Sequence, residues 1–140
     1  MFVDGASSNT NFVLAELPKG GKAFVALTVD GTITNAGAIQ WDGNYITIMN
    51  GASIYRLQIS GSTATIVGQT KLILAWGDGD FWIQGDTVIG PHISDRPHNG
   101  RWVGFWHYPG GGRAYEVIRT LSKDRHDRVF SATVSVAPSR

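Results

Sequence analysis

Residues 38–72 read AIQWDGNYITIMNGASIYRLQISGSTATIVGQTKL, and this stretch constrains the fold more than any other part of the chain. Its first run, 38–41, ends at Asp42-Gly43-Asn44. Such pairs close tight turns, because Gly accepts positive φ and Asp or Asn bonds its own backbone. In the second run, 45–49, Tyr45, Thr47 and Met49 alternate with Ile46 and Ile48, which is the period of a strand and not of a helix. Asn50-Gly51 turns into a third run, 53–59, and Ser60-Gly61-Ser62 into a fourth, 63–72. Four strands joined by short turns form an antiparallel meander. Alone it would leave both faces in water, so it has to stack against neighbours.

Imperfect copies of the stretch lie on both sides. The third strands are Phe12-Val13-Leu14-Ala15-Glu16-Leu17, then Ile54-Tyr55-Arg56-Leu57-Gln58-Ile59, then Val103-Gly104-Phe105-Trp106-His107-Tyr108. Aligned on Leu17, Leu57 and Tyr108, each is followed by a glycine turn and a fourth strand: 23–29, 63–72 and 114–121. The first strand of the third unit is Phe81-Trp82-Ile83-Gln84. The spacing is about 40 residues from the first unit to the second and about 50 to the third. The excess falls in the hairpin at 92–100. A period near 40 with four strands per repeat marks a β-propeller blade. The fold expected is all-β and β-propeller-like, about three four-stranded antiparallel blades, with units at 1–31, 38–72 and 80–121. Glycine, 18 of 140 residues, is about twice its usual share and agrees with many short turns.

The two ends complement each other. Phe2-Val3-Asp4-Gly5 matches a second strand and its turn, so the first unit lacks a first strand. Residues 129–136, VFSATVSV, read as the first strand of a further blade. Since propellers close with roughly four to eight blades, two explanations stand: a fragment of a longer propeller, or a ring completed by a second copy. The fragment is the reading adopted, because an exposed blade face leaves an apolar patch in water.

Composition excludes some classes. A net charge of +1 with mixed signs offers no basic stripe for nucleic acid, and the chain has no cysteine for a disulfide or thiolate site. No apolar run approaches the roughly 20 residues that span a bilayer.

The stretches Ile39-Gln40-Trp41-Asp42-Gly43, Ile54 to Ser62, Phe81-Trp82-Ile83-Gln84-Gly85 and Gly104-Phe105-Trp106-His107-Tyr108-Pro109-Gly110-Gly111 together resemble the later blades of bacterial β-propellers. The group is related in shape to six-bladed NHL-like and SMP-30-like proteins. The resemblance covers most of residues 2–121. It implies a fold and no particular activity. It also implies export to the cell envelope or beyond, if a signal peptide lies upstream. SMP-30-type lactonases hold a divalent metal at the central channel, but those ligands match no particular positions here.

Candidate sites follow from the loops, because one end of a propeller gathers the strand two–three hairpins and the links between blades. His92, Asp95, Arg96 and His98 crowd into the long hairpin, with Trp76 and Trp102 beside it; these are the candidate contacts for a small-molecule or protein ligand. The plain alternative is a solvated polar loop between Pro91 and Pro97. Asp78, Asp80, His92 and Asp95 could hold a divalent metal such as Ca or Zn, although their spacing fits no established motif. Gly77-Asp78-Gly79-Asp80 reads more simply as a turn. Of the aromatics at Phe81, Trp82, Phe105, Trp106 and Tyr108, most are expected to pack between blades. No Ser-His-Asp order or phosphate-binding glycine loop is evident. The function expected is therefore a non-catalytic scaffold or binding surface without a cofactor. The rival is a metal-dependent lactonase- or lyase-like enzyme.

Overall fold

The structure is a computed structural model describing residues 2–7, 11–75, 80–93 and 101–119. Among these residues there is no helix, and hence none long and apolar enough to cross a membrane. Eleven strands form one continuous, nearly closed barrel-like sheet built from three antiparallel meanders. The first contains β1 (Phe2–Ser7), β2 (Asn11–Glu16) and β3 (Val25–Asp30). The second runs through β4 (Ala36–Trp41), β5 (Ile46–Asn50), β6 (Ser53–Ser60) and β7 (Thr63–Ile73). The third comprises β8 (Trp82–Gln84), β9 (Thr87–Ile93), β10 (Arg101–His107) and β11 (Gly111–Arg119).

The second meander is buried on both sides, as its alternating sequence requires. On β5, Ile46 and Ile48 face the first meander, and with Leu14, Leu27, Ile33, Leu57 and Ala64 they form one core. Met49 points the other way and joins Ile54, Leu72, Ala75, Phe81, Ile83, Val88 and Trp106 in a second core against the third meander. Thr47 shares the Met49 face and is also buried. Its hydroxyl donates to the Gln40 carbonyl at 2.7 Å, which satisfies the one polar group that β5 buries there. Of the aromatics expected between units, Phe81 and Trp106 are buried, while Trp82 remains 37% exposed.

The meanders are not separate sheets. β3 pairs in parallel with the start of β7, at Thr28–Thr63 to Asp30–Thr65, and β11 pairs in parallel with its end, at Gly112–Leu72 and Arg113–Ile73. The length of β7 makes this possible: its two ends serve different neighbours. At the β11 end the chains meet closely. Gly111 has φ 69°, and a Cβ there would collide with the Lys71 carbonyl.

Some boundaries differ from the sequence reading. Asp4-Gly5 lies inside β1 and is not its turn, because Phe2 to Ser7 stays in register with Glu16 to Asn11. The alignment of Leu17, Leu57 and Tyr108 is also offset. Leu57 lies within β6, whereas Leu17 and Tyr108 fall just past the ends of β2 and β10. The expected strand at 129–136 lies outside the described residues.

Gly111→Ala is expected to cost about 2–3 kcal/mol, since it combines a strained positive φ with a backbone collision. Urea unfolding would measure it, and a loss under about 0.5 kcal/mol would contradict the close β7–β11 approach.

Candidate functional site

Two ends of the stack can be built from the residues upward. The first gathers the links between meanders. Asn50, at the end of β5, reaches into the link at 31–35: its Oδ1 accepts from the backbone N–H of Thr34 at 3.1 Å and of Asn35 at 2.9 Å. Gly51 N–H returns the contact to the Asn35 carbonyl at 3.1 Å. The next link is fixed in a similar place. Leu72 N–H donates to the Ala52 carbonyl at 2.8 Å, and Ala75 forms a bridge to His92 on β9. The β5–β6 turn therefore touches both the 31–35 link and the end of β7.

His92 belongs to β9 and not to the hairpin loop. It stands directly across from Trp102 on β10. Both are half-buried, and the His92 ring lies 5.8 Å from that of Trp106 beneath it. The Trp106 indole is fully buried and donates to the Ile73 carbonyl at 3.2 Å. The arrangement is an imidazole and an indole facing each other across the β9–β10 ladder, on the same side of the sheet as the buried Trp106. Asp80 is partly buried just before β8, with its carbonyl toward Gly90. Trp76, Asp78, Asp95, Arg96 and His98 lie outside the described residues. Of the expected ligand-contacting residues, the structure thus brings His92 and Trp102 together and does not place the others. Among the described residues no three His, Asp or Glu side chains come close enough to hold a metal ion.

The opposite end holds a polar cluster that the sequence reading missed. Asp42 follows β4, and its Oδ1 accepts from the N–H groups of Asn44 at 2.8 Å and Tyr45 at 2.7 Å, closing the turn expected there. Its other oxygen accepts the hydroxyl of Tyr108, which lies in the β10–β11 turn of the next meander. Tyr108 N–H donates to the Asp86 carbonyl at 2.7 Å, which fixes the tyrosine to its own unit. Arg56, on β6, lies over Gly68; any Cβ at that glycine would fall inside the guanidinium. The Arg56 Nε is buried without a hydrogen-bond partner, while its charge acts on Asp42 and Tyr108.

Electrostatics make this cluster a clasp and not an acid–base pair. Burial pushes the Asp42 carboxyl up. The Tyr108 hydrogen bond, the two backbone N–H groups and Arg56 outweigh that effect and hold it below its ordinary 3.8. For Tyr108, burial comes first, then the hydrogen bond to Asp42 and its charge; together they push the hydroxyl well above its ordinary 10.0. The carboxylate stays ionised and the phenol stays protonated throughout the neutral range, so neither exchanges protons there.

Two further contacts cross the same interface. The Gln40 amide takes the backbone of Ile83 on both sides: its Nε2 donates to the Ile83 carbonyl at 3.1 Å, and its Oε1 accepts from the Ile83 N–H at 2.9 Å. Thr70 donates its hydroxyl to the Pro109 carbonyl at 2.9 Å. The available signal was the Gln near the end of the first strand in both full units, Gln40 and Gln84.

No protein-family profile, curated protein or solved structure matches the chain.

The clasp predicts a loss of stability at both pH extremes. Below pH 10.0 the Tyr108 contribution is whole, and it is lost as pH rises beyond that value, because the unfolded chain ionises first. The Asp42 contribution is whole above pH 3.8 and disappears as pH falls through its lower folded-state value. Tyr108→Phe should therefore flatten the alkaline limb of a pH–melting profile, and Asp42→Asn the acid limb. Unchanged limbs in both variants would contradict the clasp.

Proposed function

We propose that the chain is a non-catalytic, propeller-type segment whose loop end is a binding surface for a small molecule or a protein. The observation that supports this most is the construction of that end. Residues 31–35 are fixed to the β5–β6 turn by Asn50 and Gly51, and Ala75, just after β7, is bridged to His92. The His92–Trp102 pair lies at that same end of the β9–β10 ladder. An aromatic ring beside a hydrogen-bonding ring on rigid strands suits recognition, since little side-chain freedom is lost on binding.

The propeller reading is supported by the face-to-face stacking of meanders and by first strands that each begin the next unit. The parallel ladders at β7 are a departure from freestanding blades, and they fit a segment whose units are clamped at their outer edges.

The test combines ligand and metal screening on one protein. A compound library is read by thermal shift on the native chain, on Trp102→Ala, and on a variant in which residues 94–100 are replaced by Asn-Gly, the short turn of the second meander. Ligands should raise the melting temperature of the native chain by several degrees and lose most of that effect in both variants. If Ca or Zn alone raises the melting temperature and turns on lactone hydrolysis, the reading falls in favour of a metal-dependent lactonase- or lyase-like enzyme.

A further inference from the structure

The outward face of the third meander repeats the face that the second meander uses to hold its neighbour. On the second, Gln40 stands opposite Thr47 and Met49 opposite Ile54. On the third, Gln84 stands opposite Thr87 and Ile89 opposite Phe105. The order is the same: an amide beside a threonine at the turn end, then a large apolar pair. On the second meander this face is covered by β8, whose Ile83 backbone the Gln40 amide grips. On the third, Gln84 is exposed, Trp82 is 37% exposed and Ile118 is 49% exposed. Tyr115 stacks on His107 with centroids 4.6 Å apart and is 49% exposed. Tyr115 lies across part of this face, with its hydroxyl 3.1 Å from that of Thr87 and its ring near Phe105, and among the described residues no other meander covers it.

The path of the chain identifies the occupant. After β3, residues 31–35 pass over the loop end and return as β4; β7 ends at the same end, and β8 opens the next unit. β11 reaches the loop end again at Arg119, across from Trp102. The stretch 120–128 is similar in length to the interval between β7 and β8. The segment that follows, 129–136, alternates Phe130, Ala132, Val134 and Val136 with Ser131, Thr133 and Ser135, the pattern of a strand with one apolar side.

We infer that residues 129–136 seat as the next inner strand on the outward face of β8–β11, and that the Gln84 amide pairs with their backbone as Gln40 pairs with Ile83. The exposed apolar face is then an internal docking surface filled by the chain's own C-terminal segment. The inference rests on the stacking of the meanders and not on what the loop end binds, so either can fail without the other.

Hydrogen-exchange mass spectrometry on the full chain tests it. Peptides within 129–136 should exchange slowly, and Gln84→Ala should speed them by at least about tenfold while peptides from β5 and β6 stay unchanged. Gln84→Glu, which cannot donate to a carbonyl when ionised, should speed them as well. Fast exchange of 129–136 in the native chain overturns the inference, and so does protection indifferent to both substitutions. Protection that falls on dilution, alongside a dimer in sedimentation, also overturns it, because the occupant is then a second copy.

Discussion

Everything in this structure depends on the burial of β5 from both sides. A strand with Ile46 and Ile48 on one face and Thr47 and Met49 on the other has no side to give to water. It therefore requires a meander in front of it and another behind. Each fully buried large aliphatic contributes about 1.5–3 kcal/mol, so no turn or surface contact competes with this demand. The apolar layers hold the units together but do not specify their sliding position, since such contacts are non-directional. The polar contacts supply that: Gln40 on Ile83, Asp42 on Tyr108 and Thr70 on Pro109. Each fits only one register, because a slip would leave buried backbone or carboxylate groups without partners.

This division of labour explains why the two ends of the stack differ in character. At the turn end, Asp42 and Tyr108 are used in joining the units. Asp42 accepts three hydrogen bonds and Tyr108 is locked in its protonated form, so the cluster has little capacity left for a ligand. At the loop end, the fixing contacts are the Asn50 side chain and the backbone of Gly51, Ala52 and Ala75. His92 and Trp102 face each other across the β9–β10 ladder at that same end.

The strands were legible in the sequence because their evidence is local. Period-two alternation in residues 45–49 and the pairs Asp42-Gly43 and Asn50-Gly51 place β4 to β7 to within about two residues, the usual uncertainty at element ends. The two-sided burial of the second meander followed from the same alternation. The parallel ladders at β7 were not legible, because a parallel partner leaves no turn residue between the strands it joins. Nor was the role of Arg56: a charged residue in a strand reads as a solvent position, and only the glycine across from it, Gly68, makes room for a guanidinium in the interface. Tyr108 was noticed as an aromatic in the third unit, but its partner is 66 positions away, and nothing local announces a contact at that separation. For the candidate site, His92 and Trp102 were singled out by proximity to a long hairpin. Their direct pairing required the β9–β10 register, which depends on where the hairpin begins; assigning His92 to the loop had hidden it.

The same argument bears on how such a stack ends. Between the second and third meanders, the forward face is satisfied by β8, and the glutamine that closes the contact, Gln40, sits just before the turn. A terminal unit has two physical options. It can replace the apolar residues and the glutamine with charged groups, as edges exposed to water usually do, or it can keep them and have them covered. The third meander keeps them: Trp82, Gln84, Ile89 and Phe105 repeat the chemistry of a covered face. On the inference drawn above, its sequence asks for another strand in the same place.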